Sequence, residues 1–112
     1  MTYDVEGRNV LVTGASSGIG AGLAEALAQA GAVVGICARR QDRLAEVLER
    51  CRAHSPSSRM WVTDLADPAA VDALAAAALK ELGRVDVLVN NAGIPKRRHV
   101  SKLDAATVDA LM

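Results

Sequence analysis

The chain alternates short apolar runs with longer segments in which apolar residues recur every three or four positions. A short apolar run is typical of a buried strand, and a repeat of three to four residues is typical of a helix with one buried face. The apolar runs predict four strands, at about residues 9–13, 32–37, 59–63 and 85–90.

Capping residues mark where the predicted helices begin and end. Gly31 and Gly83 each follow a periodic segment, at the position where glycine commonly ends a helix. Asp67 followed by Pro68 is a helix start, with aspartate as the N-cap and proline in the first turn. These features predict helices at about residues 18–30, 68–82 and from 104 onward. Apolar residues at helical spacing predict a further helix between the second and third strands, which carries Leu44, Val47, Leu48 and Cys51. The apolar stripe predicted for the helix at 68–82 is Val71, Leu74, Ala75, Ala78, Leu79 and Leu82.

Strands that alternate with helices predict parallel β-α-β units with right-handed crossovers. The strands are apolar almost throughout, which indicates that helices cover both faces of the sheet. The expected fold is therefore α/β, a partial Rossmann-type doubly wound parallel sheet of strand order 3-2-1-4, in one domain over residues 1–112. Ligands of such sheets bind where the strand order reverses, here between the first and fourth strands.

Composition narrows the expected partners. Thirteen Lys and Arg residues balance thirteen Asp and Glu residues, so no net charge attracts nucleic acid or an anionic membrane. No apolar run reaches the ~18 residues of a membrane span. Residues 1–6 do not resemble a signal peptide, and a cytoplasmic protein is expected. Cys37 and Cys51 lack C-x-x-C spacing, and no metal site is predicted.

The turn between the first strand and the first helix has the sequence Thr-Gly-Ala-Ser-Ser-Gly-Ile-Gly, residues 13–20. A helix N-terminus offers unpaired N–H groups and a partial positive charge, and glycines let an anion approach the backbone. The segment therefore predicts a phosphate site. Its candidate binding residues are Gly14, Ser16, Ser17, Gly18, Ile19 and Gly20. The alternative is a tight turn that binds nothing.

Residues 13–20 resemble the cofactor loop of the short-chain dehydrogenases/reductases. Asp64-Leu65, after the third strand, and Asn90-Asn91-Ala92-Gly93, after the fourth, resemble two further markers of that family, in the family's order. The resemblance covers nearly the whole chain. It implies an oxidoreductase that transfers a hydride between a dinucleotide cofactor and a small-molecule carbonyl or alcohol.

The resemblance also implies how two segments meet the cofactor. Asp64 would accept a hydrogen bond from the adenine amine, and the N–H of Leu65 would donate to the ring. The alternative is that Asp64 only caps a turn. The residues implied to lie along the adenine ribose are Asn91, Ala92 and Gly93. Asn90 is interpreted as structural, bridging the backbone of neighbouring strands.

The end of the second strand bears on cofactor choice. A residue about 20 positions past the glycines meets the ribose 2′ position, where an acid favours NAD. Here Ala38 is followed by Arg39 and Arg40, whose guanidinium groups suit a 2′-phosphate. In similar family members, this pattern accompanies NADP(H), which is favoured over NAD(H). The alternative is that both arginines are solvated and form ion pairs with Asp42 or Glu46.

The catalytic group of the resembled family, a Ser with Tyr-x-x-x-Lys, has no counterpart here. The one tyrosine, Tyr3, has no lysine four residues later, and no catalytic residue is assigned. We expect the cofactor-binding half of a homo-oligomeric enzyme, inactive by itself, whose fourth strand is an edge prone to self-association. The alternatives are a stand-alone dinucleotide-binding module without catalysis and an unrelated α/β phosphate-binding protein.

Overall fold

The computed structural model describes residues 5–16 and 18–91. In chain order, its elements are β1 (Asn9–Thr13), α1 (Gly18–Gln29), β2 (Val33–Ala38), α2 (Gln41–Arg52), β3 (Arg59–Val62), α3 (Pro68–Leu82) and β4 (Val87–Asn90). The predicted helix that starts near residue 104 lies outside the described residues, as does Tyr3.

The four strands form one parallel sheet of order β3-β2-β1-β4. β1 is central, and its Leu11 lies in register with Gly35 of β2 and Leu88 of β4. The predicted strand order and Rossmann-type architecture are confirmed. The carboxyl ends of β1 and β4 therefore lie side by side, at the point where the strand order reverses.

Apolar side chains pack on both faces of the sheet. On one face, Val10 and Val12 of β1 join a cluster that includes Ala24 of α1 and Val47 of α2. On the other face, Leu11 packs in a cluster with Ala75, Ala78 and Leu88, residues of α3 and β4. The alternation along β1 places neighbouring residues on opposite faces, which explains why its sequence is apolar at consecutive positions.

A tryptophan occupies the space that a missing side chain leaves on β2. A Cβ built on Gly35 would lie 2.7 Å from the ring of Trp61, so this glycine accommodates the indole. The indole Nε1 donates to Glu81 Oε2 of α3 at 3.1 Å. Trp61 thus joins β2, β3 and the carboxyl-terminal part of α3.

The helix patterns are confirmed in most respects. The predicted apolar stripe of α2 is buried: Leu44, Val47, Leu48 and Cys51. Asp67 caps α3 by accepting from the Ala69 N–H at 3.0 Å, with Pro68 at the first position. The predicted stripe of α3 is wrong at Leu79, which is 38% exposed. Ala75 and Ala78 pack in the cluster with Leu11 and Leu88, and that cluster does not include Leu79.

At the amino-terminal edge of the sheet, Asn9 and Asp86 join β1 to the segment before β4. The Asn9 backbone N–H donates to Asp86 Oδ2 at 2.8 Å, and the Asp86 N–H donates to the Asn9 carbonyl at 2.9 Å. The Asn9 side chain also donates to the Leu82 and Arg84 carbonyls, at 2.9 and 3.0 Å. These bonds tie the end of α3 to both strands.

Replacing Asp86 with asparagine is expected to lower the free energy of unfolding at pH 7 by about 1 kcal/mol. Burial alone would raise the pKa of Asp86, but hydrogen bonds from the Asn9 N–H and Arg84 outweigh it and lower the pKa below 3.8. The carboxylate therefore stabilises the fold above its unfolded-state pKa, and this contribution is lost as pH falls through the folded value.

Urea denaturation of wild type and Asp86→Asn from pH 7 to pH 3 measures this difference. The difference in unfolding free energy between the two proteins should be constant above pH ~5. It should shrink toward zero in the acid range, because protonation of Asp86 removes the negative charge that the asparagine substitution also removes. Asp72→Asn, which changes an exposed carboxylate of α3, is the control. A difference independent of pH would contradict the stabilising role of the ionised carboxylate.

Candidate functional site

The site begins with the turn between β1 and α1. β1 ends at Thr13 and α1 begins at Gly18, as predicted. Gly14 and Gly18 have φ angles of 67° and 61°, a left-handed backbone conformation that glycine adopts without the penalty of a side chain. The turn therefore needs glycine at both positions for backbone reasons alone.

The two glycines that begin α1 have different surroundings. A Cβ on Gly18 would meet no described atom within 4 Å, whereas a Cβ on Gly20 would lie 2.4 Å from the Gly14 carbonyl oxygen. Gly18 therefore borders open space, and Gly20 permits close packing. Ile19 between them is 81% exposed. The first turn of α1 contains no acidic residue, so no carboxylate of this turn opposes an anion at these N–H groups.

The two loops at the strand-order reversal meet, as the sheet order predicts. Asn91 follows β4, and its Nδ2 donates to the Gly14 carbonyl at 3.2 Å. The hydroxyl of Thr13 lies 3.3 Å from the Val89 carbonyl and 3.4 Å from Asn90 Oδ1. The Thr13 hydroxyl therefore links β1 to β4, and the interpretation of Asn90 as a bridge between the backbones of the two strands stays a prediction.

The turn is also held by β2. The backbone N–H groups of Gly14 and Ala15 both donate to the Cys37 carbonyl, at 2.9 and 3.3 Å. Burial raises the pKa of the Cys37 thiol to about 12, so the thiol is neutral at physiological pH and is no nucleophile. Cys51 is also buried and unpaired. Both cysteines serve as small core residues, as expected.

Two arginines follow β2 at the same edge of the sheet. Ala38 is the last residue of β2 and is buried, while Arg39 and Arg40 are exposed. Within residues 5–16 and 18–91, neither arginine forms an ion pair, and Asp42 is not bonded to either. The ion pairs with Asp42 or Glu46 that the alternative interpretation requires are therefore absent among the described residues.

The turn after β3 carries the predicted adenine-binding pair. Asp64 is exposed, and its Oδ1 accepts from the Ala66 N–H at 3.0 Å. Its carbonyl accepts from the Asp67 N–H at 3.1 Å. Asp64 thus does cap a turn, and a role toward adenine stays a prediction. Leu65 and Ser16 are half-buried, whereas Ser17, Ala92 and Gly93 lie outside the described residues.

A family model described as short chain dehydrogenase matches residues 8–112. The chain belongs to the short-chain dehydrogenase family. Among similar curated proteins is the granaticin polyketide synthase putative ketoacyl reductase 1 of Streptomyces violaceoruber. It is 48% identical over 83 residues, which are 74% of this chain and 30% of that protein. The chain thus spans about a third of the length of such relatives.

Solved structures of other proteins share this fold. L-sorbose reductase from Gluconobacter frateurii, complexed with NADPH and L-sorbose, matches with a TM-score of 0.74 and 36% identity. The match covers 81% of this chain and 36% of that one. A NAD⁺-bound xylitol dehydrogenase matches with a TM-score of 0.77, over 88% of this chain and 42% of that one. Its 24% identity supports a likeness of fold alone.

The turn of this short-chain dehydrogenase has features that suit a phosphate group. A Cβ on Gly18 would meet no described atom within 4 Å, and the first turn of α1, which begins there, contains no acidic residue. The exposed guanidinium groups of Arg39 and Arg40 follow the end of β2. A diphosphate needs N–H donors and positive potential.

Among the described residues, no group of three or more His, Cys, Asp or Glu side chains could hold a metal ion.

Sequence reasoning missed the contacts that support the site of this short-chain dehydrogenase. Nothing in the pattern predicts that Cys37 offers its carbonyl to two amides of the turn, or that the Asn91 amide reaches the Gly14 carbonyl. The one feature of the sequence that could have indicated the second contact is a polar residue directly after a buried strand, at the point where the strand order reverses.

In the described part of the chain, no helix is long and apolar enough to span a bilayer.

Proposed function

We propose that residues 1–112 form the cofactor-binding half of an NADP(H)-dependent oxidoreductase that interconverts a small-molecule carbonyl and alcohol. The observation that carries this proposal is the open space at Gly18, at the first turn of α1, beside exposed Arg39 and Arg40. Membership of the short-chain dehydrogenase family supports an enzyme over a binding module without catalysis.

The proposed binding residues divide by the part of the cofactor that they meet. The pyrophosphate and ribose phosphate would be held by Gly14, Ser16, Ser17, Gly18, Ile19 and Gly20. The adenosine would be held by Asp64, Leu65, Asn91, Ala92 and Gly93. The nicotinamide ring, when bound, supplies or accepts the hydride. The role of this chain is to bind the dinucleotide and to fix its orientation.

Three features support NADP(H) over NAD(H). No acid stands at the end of β2, where Ala38 is buried. Arg39 and Arg40 are exposed and form no ion pair with described carboxylates, so their charge is available to a 2′-phosphate. The L-sorbose reductase, at 36% identity, is complexed with NADPH, and the NAD⁺-bound xylitol dehydrogenase shares only the fold.

No catalytic residue is proposed within this chain. Hydride transfer to a carbonyl requires a proton donor beside the reacting carbon, and the one tyrosine, Tyr3, has no lysine four residues on. The complete enzyme would supply that group and the substrate pocket. Homo-oligomeric assembly and a cytoplasmic location stay predictions.

Titration calorimetry with NADPH, NADH and inorganic phosphate tests the proposal. We expect NADPH to bind about 10- to 100-fold more tightly than NADH, because two charge-assisted hydrogen bonds read the 2′-phosphate. Inorganic phosphate should bind much more weakly than either. The 112-residue chain should not oxidise NADPH in the presence of ketones or aldehydes. Equal affinity for NADPH and phosphate would contradict dinucleotide binding, and turnover would require a catalytic group not proposed here.

A further inference from the structure

β3 is the outer strand on one side of the sheet. It pairs with β2, and no described strand pairs with its other side. Just past the strand, the Thr63 N–H donates to the Ala38 carbonyl of β2 at 2.9 Å. Because successive residues of a strand direct their backbone groups to opposite sides, the N–H and C=O groups of Met60 and Val62 point away from β2. We call this row of backbone groups the β3 edge.

The β3 edge lacks the features that usually keep an outer strand from pairing with other chains. Proteins protect such strands with lysine, proline or a β-bulge. β3 contains no proline, and its four residues pair with β2 in continuous register. Its one charged residue, Arg59, lies at the start of the strand, and Val62 at the other end is 50% exposed. An exposed β-branched side chain beside open backbone groups favours strand pairing.

The two ends of β3 carry opposite charges. The side chain of Arg59 is 47% exposed, although its Nη1 lies 3.9 Å from a carboxylate oxygen of Glu81. Asp64, shortly after the end of the strand, is exposed. An antiparallel copy of β3 brings Arg59 of each chain toward Asp64 of the other, whereas a parallel copy brings like charges together. β3 is therefore electrostatically complementary to itself in the antiparallel direction.

The open backbone groups select one register. In an antiparallel pair, two opposite residues either both exchange hydrogen bonds or both do not. With Met60 opposite Val62 of the second copy, both residues of each chain exchange their N–H and C=O bonds. The two-fold axis then passes through the position of Trp61, which lies opposite its own copy. Cross-strand pairs of large apolar side chains stabilise such a ladder.

The neighbouring registers pair fewer groups. If Met60 lay opposite itself, Val62 would need Ser58 as its partner, but the Ser58 N–H already donates within the loop before β3. If Val62 lay opposite itself, Met60 would need Asp64, whose carbonyl already accepts within the turn after β3. Only the register with Met60 opposite Val62 uses the open groups of both residues.

We propose that the β3 edge binds a second copy of this chain in the antiparallel direction, with Met60 opposite Val62 and the two-fold axis at Trp61. Two four-stranded sheets then become one continuous sheet. The inference goes beyond cofactor binding, and it concerns the opposite side of the sheet from the fourth strand. The paired surface is small, so the complex is weak and depends on concentration.

Sedimentation of the protein that contains this chain, across the micromolar range, tests the pairing. Wild type should form a species larger than any formed by Val62→Lys, and its share should rise with concentration. A lysine at this exposed position puts a like charge from each copy into the ladder. Ala26→Lys adds the same charge at an exposed position of α1 and should associate like wild type. Urea denaturation should show that both variants remain folded.

Arg59→Gln tests the charge complementarity. It removes two exposed ion pairs from each symmetric complex, so the association should weaken about fivefold. The association of wild type should also weaken as salt concentration rises, while that of Arg59→Gln should depend less on salt.

Cysteine cross-linking tests the register. Trp61→Cys should form a disulfide-linked dimer under mild oxidation, because opposite residues at a two-fold axis are close enough to bridge. Met60→Cys should not, since two copies of residue 60 are diagonal neighbours about 7–8 Å apart. Adding Val62→Lys to Trp61→Cys should abolish the cross-link.

The results separate the proposal from other modes of assembly. A larger wild-type species that Val62→Lys loses and Ala26→Lys keeps, with cross-linking specific to residue 61, supports it. Equal association of wild type and Val62→Lys would overturn it, as would equal cross-linking of Met60→Cys and Trp61→Cys. None of these measurements involves a cofactor, so the proposed function stands or falls separately.

Discussion

Gly18→Val is expected to reduce dinucleotide affinity by about 100-fold, equivalent to about 2.7 kcal/mol. The side chain would enter the open space at the start of α1, where a Cβ meets no described atom. A β-branched residue is also strained at the φ of 61° found there. The anion then loses both its space and the geometry of the N–H donors. Titration calorimetry with NADPH measures the loss, and circular dichroism should show that the helix content persists.

Gly22→Ala is the matched control for this substitution. Gly22 lies in the same helix, and a Cβ there also meets nothing within 4 Å. Its φ is not positive, so alanine should stabilise α1 by about 0.5–1 kcal/mol. NADPH affinity should stay at the wild-type value. Unchanged affinity in Gly18→Val would remove the glycine turn from the proposed site.

Arg39→Ala is expected to weaken NADPH binding by about 10- to 100-fold, while NADH binding changes less than about threefold. The guanidinium group is exposed at the end of β2 and is not engaged by described carboxylates. Its proposed partner, the 2′-phosphate, is present in NADPH alone. The preference should also shrink as salt concentration rises, because exposed charges are screened. Competitive titrations of the two cofactors at low and high salt measure both effects.

Arg43→Ala controls for the removal of one exposed positive charge from α2. It should lower the affinities for both cofactors slightly and equally, through the general field. The same equal loss in Arg39→Ala would show that this arginine does not contact the 2′-phosphate. Substituting Ala38 is a poorer test, because that side chain is 5% exposed and an introduced acid would disturb the sheet.

The sequence was sufficient for the architecture because its signals are local and repeated. The stripe of α2, the Asp67-Pro68 start of α3 and the apolar runs each depend on residues within a few positions of one another. Alternation of strands and helices then leaves few topologies open. The strand order and the meeting of the turn after β1 with the loop after β4 followed from these rules.

The contacts that shape the site could not be predicted from these local signals. Asn91 and Gly14 are 77 residues apart, and the choice of a donor for one carbonyl depends on ångström-scale positions that no periodicity encodes. The hydrogen bond between Asn9 and Asp86 also joins residues 77 positions apart, and it could not be predicted for the same reason. The binding roles of all the candidate residues stay predictions, and Ser17, Ala92 and Gly93 also lie outside the described part of the chain.

The indole of Trp61 gives this protein an intrinsic optical reporter. The chain has one tryptophan and no phenylalanine, so ultraviolet-excited emission at long wavelength comes from a single place. That place is the junction of β2, β3 and α3, where the ring covers Gly35 and bonds to Glu81. A fluorescence melt therefore follows the opening of this junction. The glycine turn contributes no fluorophore, and its rearrangements would leave the emission unchanged while the junction remains closed.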